Sequence, residues 1–141
     1  FFSIGYGQDD IRDNCTSILD GYSDKFIWLG KQMSPEKIMS GWDIYVSPSL
    51  FGEGFSNSII EAMSCSLPVI ATDVGDAPVQ INGVGVALTP GNENLLYDTL
   101  KEWIISKYYI SAGEKSRKRV VENFSSREMT KKTENFIKEI L

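Results

Sequence analysis

Short apolar runs alternate with stretches of helical period along this chain, an alternation that commits it to βαβ units and a parallel sheet. The run at 68–72, Pro-Val-Ile-Ala-Thr, is apolar up to its threonine, as a strand covered on both faces must be. Residues 1–4 read as a strand ending in the turn Gly5-Tyr6-Gly7. Residues 9–19 read as a helix with Ile11, Cys15, Ile18 and Leu19 on one face. A second strand at 26–29 is stopped by Gly30. Ser34-Pro35-Glu36-Lys37 is a helix start, with the serine as cap and proline at the first helical position. A third strand at 44–46 runs into Ser47-Pro48-Ser49. Beyond a glycine-containing loop, residues 58–63 open another helix. Residues 84–88 suit a short edge strand. From Asn92 onward Leu95, Leu96, Leu100, Trp103 and Ile104 keep a helical period; a second helix ends near Phe124 and a third covers 126–141. Without repeats or linkers, the expected fold is one doubly wound, Rossmann-like α/β domain over residues 1–141.

Composition narrows the function. A chain of 141 residues can bury roughly 68% of its unfolded surface, enough for one true core. No stretch approaches the roughly 20 apolar residues that span a bilayer, and the N-terminus lacks the basic start of a signal peptide. The net charge of −5 argues against nucleic acid as a partner, since such binders carry a basic excess or stripe. Cys15 and Cys65 form no CxxC and there is no histidine, so neither a zinc site nor a Ser-His-Asp or Cys-His nucleophile can be assembled. Two buried, reduced thiols in a cytoplasmic protein are the expectation.

Ligands of doubly wound sheets bind outside the carboxyl ends of the strands. That rule selects the loops 5–8, 30–34 and 47–58, of which the third is richest in chemistry. Gly52 and Gly54 let backbone approach a ligand closely. Ser56, Asn57 and Ser58 stand where the helix starts, and unpaired amides there make an anion site suited to a pyrophosphate. Glu53 and Glu61 flank it, sensibly so if they accept hydrogen bonds from the vicinal hydroxyls of sugar and ribose. Spacing alone leaves other readings standing. Ser58 and Glu61 also fit a capping box, Glu53 an ordinary solvated carboxylate, and Phe55 plain core packing.

The same stretch resembles the most characteristic segment of the glycosyltransferase group 1 family (family 4 of the retaining nucleotide-sugar transferases). That family shows two glutamates separated by seven residues within P-S-x-x-E-G-F-x-x-x-x-x-E-A-M. Pro48-Ser49, Glu53-Gly54-Phe55 and Glu61-Ala62-Met63 match, with one extra residue after Ser49, and Leu67-Pro68-Val69-Ile70-Ala71 and Asp73-Val74-Gly75 continue the likeness. The resemblance implies the C-terminal, donor-binding half of a GT-B fold, in which Glu53 meets the donor sugar's hydroxyls and Glu61 the ribose. It implies that the amides of Gly54 and Phe55 touch the sugar, those near Asn57 and Ser58 the phosphates, and that Gly30, Lys31 and Gln32 lie along the nucleobase. Ser66 departs from the family's usual glycine.

The chain opens at what should be the family domain's second strand, so a first β-α unit with its basic pair, and an N-terminal acceptor domain, are expected elsewhere. Lys25, Lys31 and Lys37 do not stand at the matching positions. The implied reaction moves a hexose from UDP- or GDP-sugar to a glycan or lipid-linked acceptor with retention, for polysaccharide synthesis in the cytoplasm or peripherally at the membrane's inner face. The alternatives are a sugar-nucleotide epimerase of the same fold, or a non-catalytic nucleotide-binding module. No D-x-D motif occurs, so no metal and no cofactor are expected. Residues 1–141 alone are expected to be inactive in transfer.

Overall fold

The computed structural model describes residues 1–5, 9–19 and 21–140. They form two compact units, Phe1–Lys37 and the chain from Ile38 onward. Gly5 is described, but the rest of the first expected ligand loop, residues 6–8, lies outside the described residues, as does Leu141.

In the first unit β1 (Phe2–Ser3) pairs in parallel with β2 (Ile27–Trp28). Helix α1 (Asp9–Ile18) and a 3-10 turn at Ser23–Lys25 lie between them in sequence. Both strands are half the expected length. The expected apolar face of α1 is covered only in part: Cys15 and Leu19 are half-buried, whereas Ile11 and Ile18 are exposed. Four strand residues present too little surface to cover a helical stripe.

The helix α2 (Pro35–Met39) leads into the second unit, where β3 (Tyr45–Ser47), β4 (Val69–Thr72) and β5 (Val86–Leu88) form a parallel ladder. β4 is central: Ile70 faces Val46 on one side and Val86 on the other. Val69, Ile70 and Ala71 are fully enclosed, as the apolar run required. Each large side chain buried this way stabilises by about 1.5–3 kcal/mol. β5 is the edge strand expected near 84–88, shorter by its first two residues.

Two helices precede the edge strand. In α3 (Asn57–Ser64) Ile59, Ala62 and Met63 are buried at helical spacing. α4 (Ala77–Ile81), absent from the sequence reading, begins with Pro78 in its first turn and buries Gln80 and Ile81. Then α5 (Glu93–Ser106) starts at Asn92, whose side chain accepts a hydrogen bond from the Leu95 amide at 3.0 Å. Trp103 packs with Ile70 and Leu88, with Leu96 and Leu100 beside them; Leu95 and Ile104 turn outward. Lys107, in the left-handed region at φ 56°, separates α5 from α6 (Tyr108–Asn123). The small residues Ala112, Gly113 and Ser116 let α6 come close to α3. The last helix, α7 (Ser126–Ile140), buries nothing; Met129, Phe136 and Ile140 are exposed. Neither thiol is in a disulfide, and both are half-buried rather than enclosed. Among the described residues no helix is long and apolar enough to cross a membrane.

Candidate functional site

The loop between β3 and α3 leaves the carboxyl end of the ladder and is fastened at three places. At its start, the Thr72 hydroxyl at the end of β4 reaches the carbonyls of Ser47 (3.3 Å) and Ser49 (2.5 Å). In its middle, the Asp76 amide donates to the Gly54 carbonyl at 3.1 Å. Gly75 beside it stands so near that an added Cβ would lie 2.7 Å from the Gly54 oxygen. At its end, Ser56 is buried, and its amide donates to Gln80 Oε1 (3.2 Å) while its carbonyl accepts from Gln80 Nε2 (2.9 Å).

Ser56, not Ser58, is the cap position of α3, and no side chain caps the helix. This overturns the capping-box alternative: Ser58 already lies inside the first turn, and with Ser56 as cap the N3 position falls on Ile59, two residues before Glu61. The expected start of this helix moves back to Asn57 for the same reason. The Ser56 hydroxyl instead meets that of Ser58 at 3.1 Å. Helix-start amides at Asn57 and Ser58, both exposed residues, are therefore left to solvent or ligand, at the positive end of the helix dipole.

The two glutamates differ in their surroundings. Glu53 accepts a hydrogen bond from the Ser49 hydroxyl at 2.8 Å, and Glu61 projects from the exposed face of α3. Both act on a group that sequence reasoning missed, the phenol of Tyr45. Burial raises its pKa, a hydrogen bond with Ser58 works the other way, and the charges of Glu53 and Glu61 raise it further. The phenol thus ties Ser58 and both carboxylates to one spot. A polar-tipped aromatic in an otherwise apolar strand beside the loop was the available signal.

Gly52, at φ 82°, and Gly54 border open space, so backbone is accessible there. Phe55 is not core packing: its ring is half exposed and lies edge-on to Phe124, centroids 5.5 Å apart. Gly30, Lys31 and Gln32 belong to the first unit. There Gln32 Nε2 donates to the Leu29 carbonyl at 2.5 Å, the Gly30 carbonyl accepts from Gly5, and Lys31 is exposed. A separate cavity of about 260 Å³ opens between the carboxyl ends of β3–β5 and α5, under Leu50. It is mainly apolar and holds neither glutamate.

A family model described as "Glycosyl transferases group 1" matches residues 1–105. The chain belongs to that family. Among its curated relatives within the family's reach is the N-acetylgalactosamine-N,N'-diacetylbacillosaminyl-diphospho-undecaprenol 4-alpha-N-acetylgalactosaminyltransferase of Campylobacter jejuni, 29% identical over 67% of this chain and 27% of that protein. Another is the poly(ribitol-phosphate) alpha-N-acetylglucosaminyltransferase of Staphylococcus aureus, 26% identical over 90% of this chain and 27% of its own length. The chain thus spans about a quarter of the length of these two relatives, 27% in each case. Among solved structures, Anabaena Alr3699/HepE in complex with UDP superposes with a TM-score of 0.88 at 19% identity, over 98% of this chain and 40% of that one. The α/β fold of this group 1 chain is that of the C-terminal half of a GT-B glycosyltransferase.

Proposed function

We propose that this chain is the donor-binding part of a retaining glycosyltransferase that moves a hexose from UDP- or GDP-sugar to a glycan or lipid-linked acceptor. The observation that carries the reading is the uncapped N-terminus of α3, with Glu53 on the loop before it, Glu61 on the helix itself, and the loop fastened from below. Amides at Asn57 and Ser58 receive the diphosphate, where the helix dipole favours negative charge. The amides of Gly54 and Phe55 face the sugar, and Glu53, already held by Ser49, accepts from its hydroxyls. Glu61 takes the ribose. Charge developing on the leaving diphosphate is met by fixed dipoles, an electrostatic mode of catalysis, and neither glutamate serves as a nucleophile.

The fold's likeness to a protein solved with UDP supports the donor class. The relatives' names, one built on diphospho-undecaprenol and one on poly(ribitol-phosphate), support an acceptor of that general kind. Residues 1–141, which span 27% of the length of these two relatives, are expected to show no transfer alone, and at most slow donor hydrolysis. The reaction takes place in the cytoplasm or at the inner face of the membrane.

Titration of Glu61→Ala and Glu53→Ala with UDP and UDP-sugar, or their guanosine counterparts, tests the assignment. Glu61→Ala weakens both ligands and Glu53→Ala only the sugar-bearing one, each by about 1.5–3 kcal/mol, the worth of a hydrogen bond to a charged group. With the capping box excluded, Glu61→Ala shifts stability by no more than about 0.5 kcal/mol. Nucleotide perturbations that miss the segment from Gly52 to Glu61 would sink the site.

A further inference from the structure

Gln80 is fully enclosed, on a helix of only five residues, and nothing in the donor-site reading above uses it. Its carboxamide closes both polar groups of a single residue, accepting from the Ser56 amide at 3.2 Å and donating to the Ser56 carbonyl at 2.9 Å. A neighbouring strand would hold Ser56 in the same way, so the side chain replaces a piece of sheet that is absent here. Gln80 is itself anchored from behind. Arg119 on α6 donates to the carbonyls of Gln80 (2.7 Å) and Val79 (2.6 Å). Its guanidinium lies 5.6 Å from the ring centre of Phe124, which in turn meets Phe55, the residue before Ser56. The cap residue of α3 is therefore gripped on one side by Gln80 and flanked on the other by the Phe55–Phe124 pair.

Resting on the donor-site reading, we infer that Gln80 is a positioning residue for the diphosphate: it fixes the direction in which the first amides of α3 point. An apolar side chain of equal size would fill the same space, so packing does not require a carboxamide at this position. Held by Gln80, Ser56 keeps its hydroxyl on Ser58 and off the helix amides. Released, it is free to swing into the usual serine cap and cover an amide that the ligand needs.

The test uses the 141-residue chain with UDP or GDP, whichever the wild type binds more tightly, and the matching nucleoside without phosphates. Gln80→Met lowers diphosphate affinity about tenfold, the loss of one such interaction, and leaves nucleoside affinity unchanged. Gln80→Glu keeps the acceptor for the Ser56 amide and loses the donor, so it falls between wild type and Gln80→Met; it carries the same comparison should the methionine variant not fold. In hydrogen exchange, the Ser56 amide of Gln80→Met opens faster while the amides of β4 stay protected. Equal losses for nucleotide and nucleoside mean that Gln80 serves the fold alone, and they overturn the inference, as does an unchanged diphosphate affinity. A wild type that binds neither nucleotide overturns the donor-site reading itself and takes this inference with it.

Discussion

Two loops at strand ends can be compared in this molecule, and they are built differently. The loop after β2, at 30–32, is held by one side chain of its own and one backbone bond: Gln32 donates to Leu29, and the Gly30 carbonyl accepts from Gly5, with no side chain arriving from a later strand or helix among the bonds described. The loop after β3 is held by side chains and amides that arrive from β4, the turn after it, and α4, which are 22 or more residues away along the chain. The contrast follows from the strands beneath. Two-residue strands leave little buried framework from which a side chain could reach up, whereas the enclosed β4 sets Thr72, Gly75, Asp76 and Gln80 at fixed heights below its loop. A loop can be positioned to fractions of an ångström only where such a framework exists.

The largest expected effect breaks this comparison at two glycines with nearly equal backbone angles, Gly30 at φ 64° and Gly75 at φ 58°. An alanine at either must adopt the left-handed region, at a cost of about 1–2 kcal/mol. At Gly30 the Cβ would meet nothing within 4 Å, so that cost is the whole effect. At Gly75 the Cβ would run into the carbonyls of Glu53 and Gly54, which adds an overpacking cost of about 1–3 kcal/mol. Urea unfolding of the two variants should therefore differ by about 2 kcal/mol. Gly75→Ala should in addition weaken nucleotide binding, because it displaces the loop. Equal losses would mean that the turn after β4 does not support the loop.

A smaller effect, of opposite sign, is expected where α3 turns into β4. Ser66 sits at φ 62°, the position at which the family more often has glycine. Its carbonyl fits against Gly113, where α6 has no side chain to obstruct it. Ser66→Gly removes the left-handed strain and should stabilise the chain by about 1 kcal/mol, read as a higher urea midpoint. Ligand affinity should stay as it is, since the turn lies at the amino end of β4, away from the loop.

Much of this was legible in the sequence, for identifiable reasons. The run at 68–72 could only be an enclosed strand, and the glutamate spacing with its flanking Pro48-Ser49 and Ala62-Met63 marked both the loop and the family. What could not be read was whatever depends on a partner distant in sequence. The start of α3 was placed one residue late because Ser58 makes as good a local cap as Ser56. Only Gln80, 24 residues away, decides between them by taking the Ser56 backbone. α4 was missed because five residues beginning with Ala-Pro carry too little period to register. Ile11 and Ile18 were expected on a covered face because periodicity reports a stripe, not whether enough sheet exists to cover it. Tyr45 was passed over because a tyrosine in a strand reads as packing until its neighbours are known.

The smallest effect sharpens the comparison at that tyrosine. The Tyr45 phenol is pushed above its ordinary pKa of 10.0 by burial, then by the carboxylates of Glu53 and Glu61, against the opposing hydrogen bond with Ser58. The folded state therefore holds the proton more tightly than the unfolded chain does. The stability this contributes is complete below the unfolded value of about 10, and it is lost as pH rises from there through the higher folded value. Tyr45→Phe abolishes the difference: its stability should fall less steeply above pH 10 than that of the wild type, when both are followed by urea unfolding between pH 8 and pH 11. At neutral pH the same variant loses the bond to Ser58, a cost of about 0.5–1.5 kcal/mol. No tyrosine lies in the loop at 30–32, so the alkaline loss belongs to the β3 side of the comparison alone. Wild type and Tyr45→Phe with parallel alkaline profiles would show that the phenol is not held among Ser58 and the two carboxylates, and the three would then have to be regarded as separate surface groups.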